Sequence, residues 1–352
     1  MTTLKKKFNR IRKKTMQKLT NSLTGFDPYR AKMIPVASVK NVLIVRPNHR
    51  LGNQILTSPI IQEIENTFPN ASIDLFSGKV SPILFSNYKS LNQCIRVPRK
   101  PLKEFRAFVK AWLQLRAKKY DFVLNVDQGS SSGRLATKFS KGKIKLYGEI
   151  TEHIRNNFPD HVHIAKIPIY YLREMMEKMG YTPNTSPLPY LSIKLSAEEI
   201  AKGKDILNNL IPNASKQTIA LYTYATGTKC YSKEWWKAFY ETLKENYPSF
   251  NIIEILPVEN ISMIDFQAPA LYSKDIREMG AVMANTVAYI GADCGIMHLA
   301  SASGVSTIGL FSVTDPGIYE PYNPGSIALT TNNQDFKEIL DAFDQIKMLK
   351  NN

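Results

Sequence analysis

From residue 41 onward, short runs of branched apolar residues alternate with longer stretches in which apolar positions recur every three or four residues. The first kind, "NVLIVR" at 41–46, "SIDLFSG" from 72 and "YDFVLNVD" from 120, predicts buried strands. The second kind, "TSPIIQEIENTFP" from 57 and "LKEFRAFVKAWLQLRAKK" from 102, predicts amphipathic helices. In the latter, Phe105, Phe108, Leu113 and Leu115 are available for burial. "IYYLREMMEKMG" closes this half as a helix with a glycine stop. The segment "YTPNTSPLPYLSIKLS", 181–196, is rich in Pro, Ser and Thr and predicts a linker. After it the alternation resumes. Helices are expected over "EEIAKGKDILNNL", "KEWWKAFYETLKENY", "KDIREMGAVMANT", "GIMHLASASG" and "NQDFKEILDAFDQIKMLK". Strands are expected over "TIALYTYA", "FNIIEILP", "VAYIGAD" and "STIGLFS".

Such alternation predicts an α/β fold, a parallel sheet with helices on both faces. Two rounds of it predict two domains of similar size with a cleft between them. The expected division is a basic segment at 1–40, a first α/β domain at 41–185, a second at 186–330, and a final helix at 331–352. Ligands bind such sheets outside the carboxyl ends of the strands, so the loops there carry the candidate chemistry. With 352 residues, 43% of them hydrophobic, the chain has material for two cores, which excludes global disorder.

Charge adds a second expectation. The net charge is +16, which points to anionic partners. The first twenty residues hold eight Lys or Arg and no acid. On a helix, Leu4, Phe8, Ile11, Thr15 and Leu19 would line one face, a pattern suited to an anionic membrane surface and also to a solvated tail. No RNA- or DNA-binding module is visible, so a nucleic-acid partner is not expected. The segment lacks a signal-peptide core, and no window reaches the roughly 20 apolar residues of a spanning helix. Cys94, Cys230 and Cys294 are scattered without metal-ligand spacing, as in a reduced, cytoplasmic protein, and no metal or cofactor is expected.

The most informative loop is "YIGADCGIMHLASASGVSTIGLFSVTDP", 289–316. A strand ends at Gly291, and a helix opens near Gly295, where free amides and the helix dipole favour a phosphate. Asp293 suits a helix cap or a ligand hydroxyl, and His298 lies one turn on. This stretch resembles the signature of glycosyltransferase family 9, the heptosyltransferases of lipopolysaccharide assembly. Gly291, Asp293, Gly295, His298, Leu299, Ala300, Thr314, Asp315 and Pro316 fit its pattern, while Cys294 stands where Ser or Thr is usual. "LYTYATGTKCYSKEWW" resembles the family's phosphate-facing loop, with Lys229, Glu234 and Trp236 in place, and Tyr231 and Ser232 replacing Trp and Pro. "VLIVRPNHRLGNQILTSPIIQEIENTFPNASIDLF" resembles its opening at Arg46, Gly52, Thr57, Pro59, Phe68, Pro69, Ala71, Ile73 and Asp74. The likeness covers about residues 41–325.

The resemblance implies a GT-B architecture, two Rossmann-like domains facing a central cleft with the final helix packing back on the first domain, and inverting sugar transfer from a nucleoside-diphosphate donor to a lipid-linked glycan acceptor. It implies that Lys229 neutralises the donor diphosphate, with the backbone of Tyr224, Ala225 and Thr226 around it and Asp293, Cys294, Gly295 and His298 opposite. Arg46, Arg50 and Gly52 fall on the acceptor side. The family carries a catalytic acid after that glycine; here the residue is Asn53, which is neutral and can only position by hydrogen bonds. Three readings stay open: His49 or Asp127 serves as base, transfer proceeds without strong base help, or the chain binds without transferring.

Overall fold

The computed structural model describes residues 15, 20, 27–29, 31–101, 103–331 and 336–351. The expected basic helix of the first twenty residues lies outside these, save Thr15 and Thr20. The chain forms two compact units. The first takes residues up to Arg50 with Thr57–Pro82 and Tyr88–Pro189; the second takes Leu51–Leu56, Ile83–Asn87 and Tyr190 onward.

In chain order, the first half contains β1 (Asn41–Arg46), α1 (Leu51–Ile55), α2 (Ser58–Thr67), β2 (Ser72–Ser77), α3 (Ser81–Leu84), β3 (Leu91–Arg96), α4 (Phe105–Ala117), β4 (Lys119–Asn125), α5 (Ser131–Phe139), β5 (Lys141–Leu146), α6 (Glu152–Asn157) and α7 (Ile167–Lys178). Its five strands are parallel in the order β3-β2-β1-β4-β5. Asp74, fully buried on β2, accepts from Asn92 (2.9 Å), Gln93 (2.8 Å) and the Tyr120 hydroxyl (2.9 Å), and Lys118 lies 3.2 Å away. This acid therefore stitches strands together, since a buried carboxylate is stable only when its lone pairs are filled. Residues 181–196 contain no helix or strand before α8 begins.

The second half contains α8 (Ala197–Leu210), β6 (Thr218–Tyr222), α9 (Lys233–Asn246), β7 (Asn251–Ile255), β8 (Ala270–Leu271), α10 (Ile276–Ala284), β9 (Ala288–Ala292), α11 (Gly295–Ala302), β10 (Ser306–Phe311), α12 (Pro316–Tyr319), β11 (Ile327–Thr330) and α13 (Lys337–Asn351). The six strands are parallel in the order β11-β10-β9-β6-β7-β8. Every residue of β6, β7, β9 and β10 is buried, as strands covered by helices on both faces require. Local signals start the helices. Ser196 and Glu199 form a reciprocal capping box on α8, Ser232 accepts from Trp235 N on α9 (3.2 Å), and Asp275 accepts from Arg277 N on α10 (2.9 Å).

The final helix α13 buries Ile339, Ala342, Phe343 and Ile346 in the second unit's core beside Leu243, Ile308 and Leu310. Its apolar stripe at i, i+3, i+4 and i+7 fits the neighbouring surface of its own sheet. In α4 the sheet covers Ala111 and Leu115, whereas Phe105 and Leu113 are 63% and 66% exposed. At about 100° per residue these two lie on a stripe of their own, with Val109, away from the sheet.

Candidate functional site

β6 and β9 are neighbours, with Tyr222 opposite Gly291, so the loops that leave their carboxyl ends meet. After β6 the chain tightens into a 3-10 turn, Gly227–Lys229. Lys229 closes that turn, and its ammonium donates to Asp293 Oδ2, just beyond β9. The Asp293 side chain is 6% exposed and that of Lys229 is 35% exposed, so the carboxylate is an inner anchor and the ammonium keeps an outer face. Tyr319, at the end of α12, sets its ring centroid 5.8 Å from the same ammonium and 6.4 Å from the His298 ring. Of the loop residues, Ala225 is buried, Tyr224 half-buried and Thr226 exposed.

Two residues past Asp293, Gly295 opens α11. Asp293 is not its cap: Cys294 holds that place, in extended backbone. Burial pushes the Cys294 thiol up to about 11, so it stays protonated at neutral pH. The glycine at 52 is explained here. A Cβ on Gly52 would lie 2.7 Å from His298 Cδ2 and 3.3 Å from Gly295 Cα; one on Gly295 would lie 3.1 Å from Gly52 N. α1 and α11 therefore cross where neither has a side chain. His298, 3% exposed, packs under that crossing, and Asn53, half-buried, follows on the same turn of α1.

In the first unit, Arg46 is 2% exposed; its Nη1 donates to Val126 O (3.1 Å) and lies 3.7 Å from Asp127 Oδ2. It therefore braces the ends of β1 and β4 from inside. Asp127 does not cap α5, which is capped by Ser130 accepting from Gly133 N (3.1 Å). His49 follows β1. Burial lowers its pKa below the ordinary histidine value, Arg99 and Arg96 add to this and Glu104 opposes it, so the imidazole is neutral at pH 7. Arg50 is exposed, and its amide donates to Asn48 Oδ1 (2.9 Å), turning the chain toward α1.

The altered positions at 231 and 232 have plain local roles. The Tyr231 hydroxyl bonds Thr331 Oγ1, its ring stacks near Trp235 at 4.4 Å, and Ser232 caps α9. Two residues escaped the sequence reading. Tyr319 carries no motif of its own, though the "TDP" turn before it could have flagged it. Glu254, fully buried at the end of β7, bonds the Thr223 hydroxyl at 2.5 Å, and burial raises its pKa. Among the described residues no group of three or more His, Cys, Asp or Glu stands placed to hold a metal ion. No described helix is long and apolar enough to cross a membrane.

Residues 268–345 match the model of glycosyltransferase family 9 (heptosyltransferase). The chain is 22% identical over 304 residues to lipopolysaccharide heptosyltransferase 3 of Escherichia coli K12, covering 80% of this chain and 86% of that one. Its fold is similar to a family 9 glycosyl transferase from Veillonella parvula, with a TM-score of 0.66, 17% identity, and 87% and 89% of the two chains covered. It is also similar to E. coli ADP-heptose LPS heptosyltransferase II, with a TM-score of 0.64, 14% identity, and 89% and 100% covered. These likenesses accord with two parallel-sheet units of GT-B type. The chain is thus similar to glycosyltransferase family 9 over residues 268–345, and its fold is similar to that of family 9 enzymes.

Proposed function

We propose that the protein is an inverting sugar transferase that moves heptose from a nucleoside-diphosphate donor, ADP-heptose, to a lipid-linked glycan of the lipopolysaccharide class. The observation that carries this reading is the meeting of the Lys229 ammonium with the start of α11 through Asp293. A leaving diphosphate gains negative charge as the sugar–oxygen bond breaks. A fixed ammonium and amides at a helix start favour that charge more in the transition state than in the ground state. They would do electrostatic work that a metal does in other transferases, so the reading requires no cofactor. Asp293 holds Lys229 in place until the diphosphate shares the ammonium.

In the reaction the acceptor hydroxyl attacks the anomeric carbon, the bond to the diphosphate breaks, and the hydroxyl proton passes to a base. Asn53 can orient the acceptor but cannot take that proton. We assign the base to His49, because its imidazole is neutral at pH 7. Arg50 is exposed on the same loop and is suited to an anionic acceptor group. The names of the E. coli relatives, a lipopolysaccharide heptosyltransferase and an ADP-heptose LPS heptosyltransferase, support the choice of donor and acceptor.

A second reading, binding without transfer, is favoured by Asn53 alone. The two separate in one assay. Purified protein is mixed with ADP-heptose, other sugar nucleotides and deacylated lipid-linked acceptors, and diphosphate release is followed. Acceptor-dependent release supports transfer; binding of the donor with no release under any pairing supports the second reading.

A further inference from the structure

The exposed stripe on α4 has no task in the chemistry above. Phe105, Val109 and Leu113 are 63%, 38% and 66% exposed and recur every four residues along the helix, so they form one continuous apolar ridge. Arg106, Lys110 and Arg116 are exposed beside it. The helix itself, "FRAFVKAWLQLRA", contains no acid. Between residues 99 and 119 the chain holds eight Lys or Arg and one acid. That acid, Glu104, lies 3.9 Å from Arg96.

The ridge continues onto the next helix. Trp112 is half-buried and packs edge-on against Phe139 of α5, with ring centroids 6.1 Å apart; Phe139 is itself 45% exposed. Lys138 is exposed next to it, and Lys145 of β5 donates to the Lys138 carbonyl. The surface thus combines protruding rings and a leucine with a border of cations.

We propose that this face of α4 docks on an anionic lipid surface, with Phe105, Val109 and Leu113 entering the headgroup–acyl boundary and Arg106, Lys110 and Arg116 meeting lipid phosphates. Charge complementarity selects this occupant. An apolar ridge on a helix without acids, bordered by bases and by one acid, Glu104, that lies near Arg96, matches a surface that is negative at its rim and apolar just beneath. The long aliphatic stems of Lys and Arg let the charges reach outward while the ridge sinks. The proposal goes beyond the sugar-transfer reading and does not depend on it. It concerns the folded face of the first unit, not the basic segment before residue 41.

The test uses the full-length protein, sedimented with vesicles of phosphatidylcholine alone or mixed with phosphatidylglycerol, at low and high salt. The wild type is expected to bind the mixed vesicles and not the neutral ones. A Phe105→Ser/Leu113→Ser variant should lose roughly tenfold to hundredfold in partitioning. An Arg106→Gln/Lys110→Gln variant should lose about fivefold per cation and part of the salt dependence. Neither pair is among the residues assigned to the proposed site, and all four side chains are exposed, so both variants should melt like the wild type and turn over a water-soluble acceptor at the wild-type rate. Unchanged partitioning of both variants, or no binding of the wild type to the mixed vesicles, would overturn the proposal. So would a wild-type dimer in light scattering that the Phe105→Ser/Leu113→Ser variant abolishes, because a second copy would then cover the face. Failure of turnover with vesicle binding intact would count against sugar transfer alone.

Discussion

At Gly52 the chain has no room for a methyl group, because a Cβ would press on His298 Cδ2 at 2.7 Å. Gly52→Ala is therefore expected to destabilise the protein by about 1–3 kcal/mol, the usual cost of overpacking, and to weaken donor binding through the displaced α11 start. Urea unfolding and donor titration of the variant check this. The imidazole of His49 gives a second expectation. A base works only when unprotonated, and this one has its pKa lowered by burial and by Arg99 and Arg96. The rate should therefore be flat above the ordinary histidine value of 6.5 and fall only at lower pH. His49→Gln should remove that acid limb and slow transfer by about 10²–10⁴-fold, read from a pH–rate profile. The residue scale was partly legible. Lys229, Asp293 and Gly295 carry a motif with fixed spacing, so they could be named from the sequence. Arg46 matched a motif too, yet its guanidinium is turned inward onto Val126, which no spacing reveals. Tyr319 reaches the site through a turn whose path depends on tertiary packing.

The longer helices and the central strands were legible because burial writes a period or a continuous apolar run into them, whereas α3, α5, α6 and α12 are too short or too polar to show one. The strands that escaped are β3, β5, β8 and β11, and these are the four outer strands of the two sheets. An outer strand is half solvated, so "LNQCIR" and "KGKIKL" read as polar segments, and lysine there also guards the edge against pairing with another chain. Packing between elements adds features with no linear signature. Arg277 of α10 bonds Glu199 of α8 through Nε (2.5 Å) and Nη2 (2.7 Å), and its Nη1 donates to Leu84 O (2.9 Å) and Ile193 O (3.0 Å). This clamp gathers α8, α10 and the segment around Leu84. Arg277→Ala should cost about 3 kcal/mol, because it strands a carboxylate and two carbonyls at once. The Arg277 hydrogen bond, aided by Ser196 N and Asn87, holds the Glu199 carboxyl at about 2 against a usual 4.5. A lowered folded-state pKa means that the contribution is present above pH 4.5 and lost as pH falls toward about 2. Glu199→Gln should flatten the acid side of a stability–pH curve measured by thermal melting.

For the whole molecule, the sequence carried the division into two rounds of alternation but misplaced its details. The contact-defined units exchange short pieces: Leu51–Leu56 and Ile83–Asn87 go with the second unit, although they lie in the first half of the chain. Glycines at a crossing and a buried arginine cause that exchange, and neither announces its partner in the sequence. The final helix shows a related limit: an amphipathic stripe states that a helix has a buried face, not which sheet buries it. The charge of +16 is a whole-molecule quantity, and it gains meaning where it gathers, in the first twenty residues and on the face of α4. The account stands on the Lys229 ammonium and the α11 start acting together on a diphosphate. Calorimetric titration of ADP into the wild type and Lys229→Ala tests this most directly. Loss of the ammonium should weaken ADP binding by about 10–100-fold, the size of a charge-assisted contact to phosphate, with an unchanged melting curve. Equal ADP affinity in the two proteins, at equal stability, would contradict it.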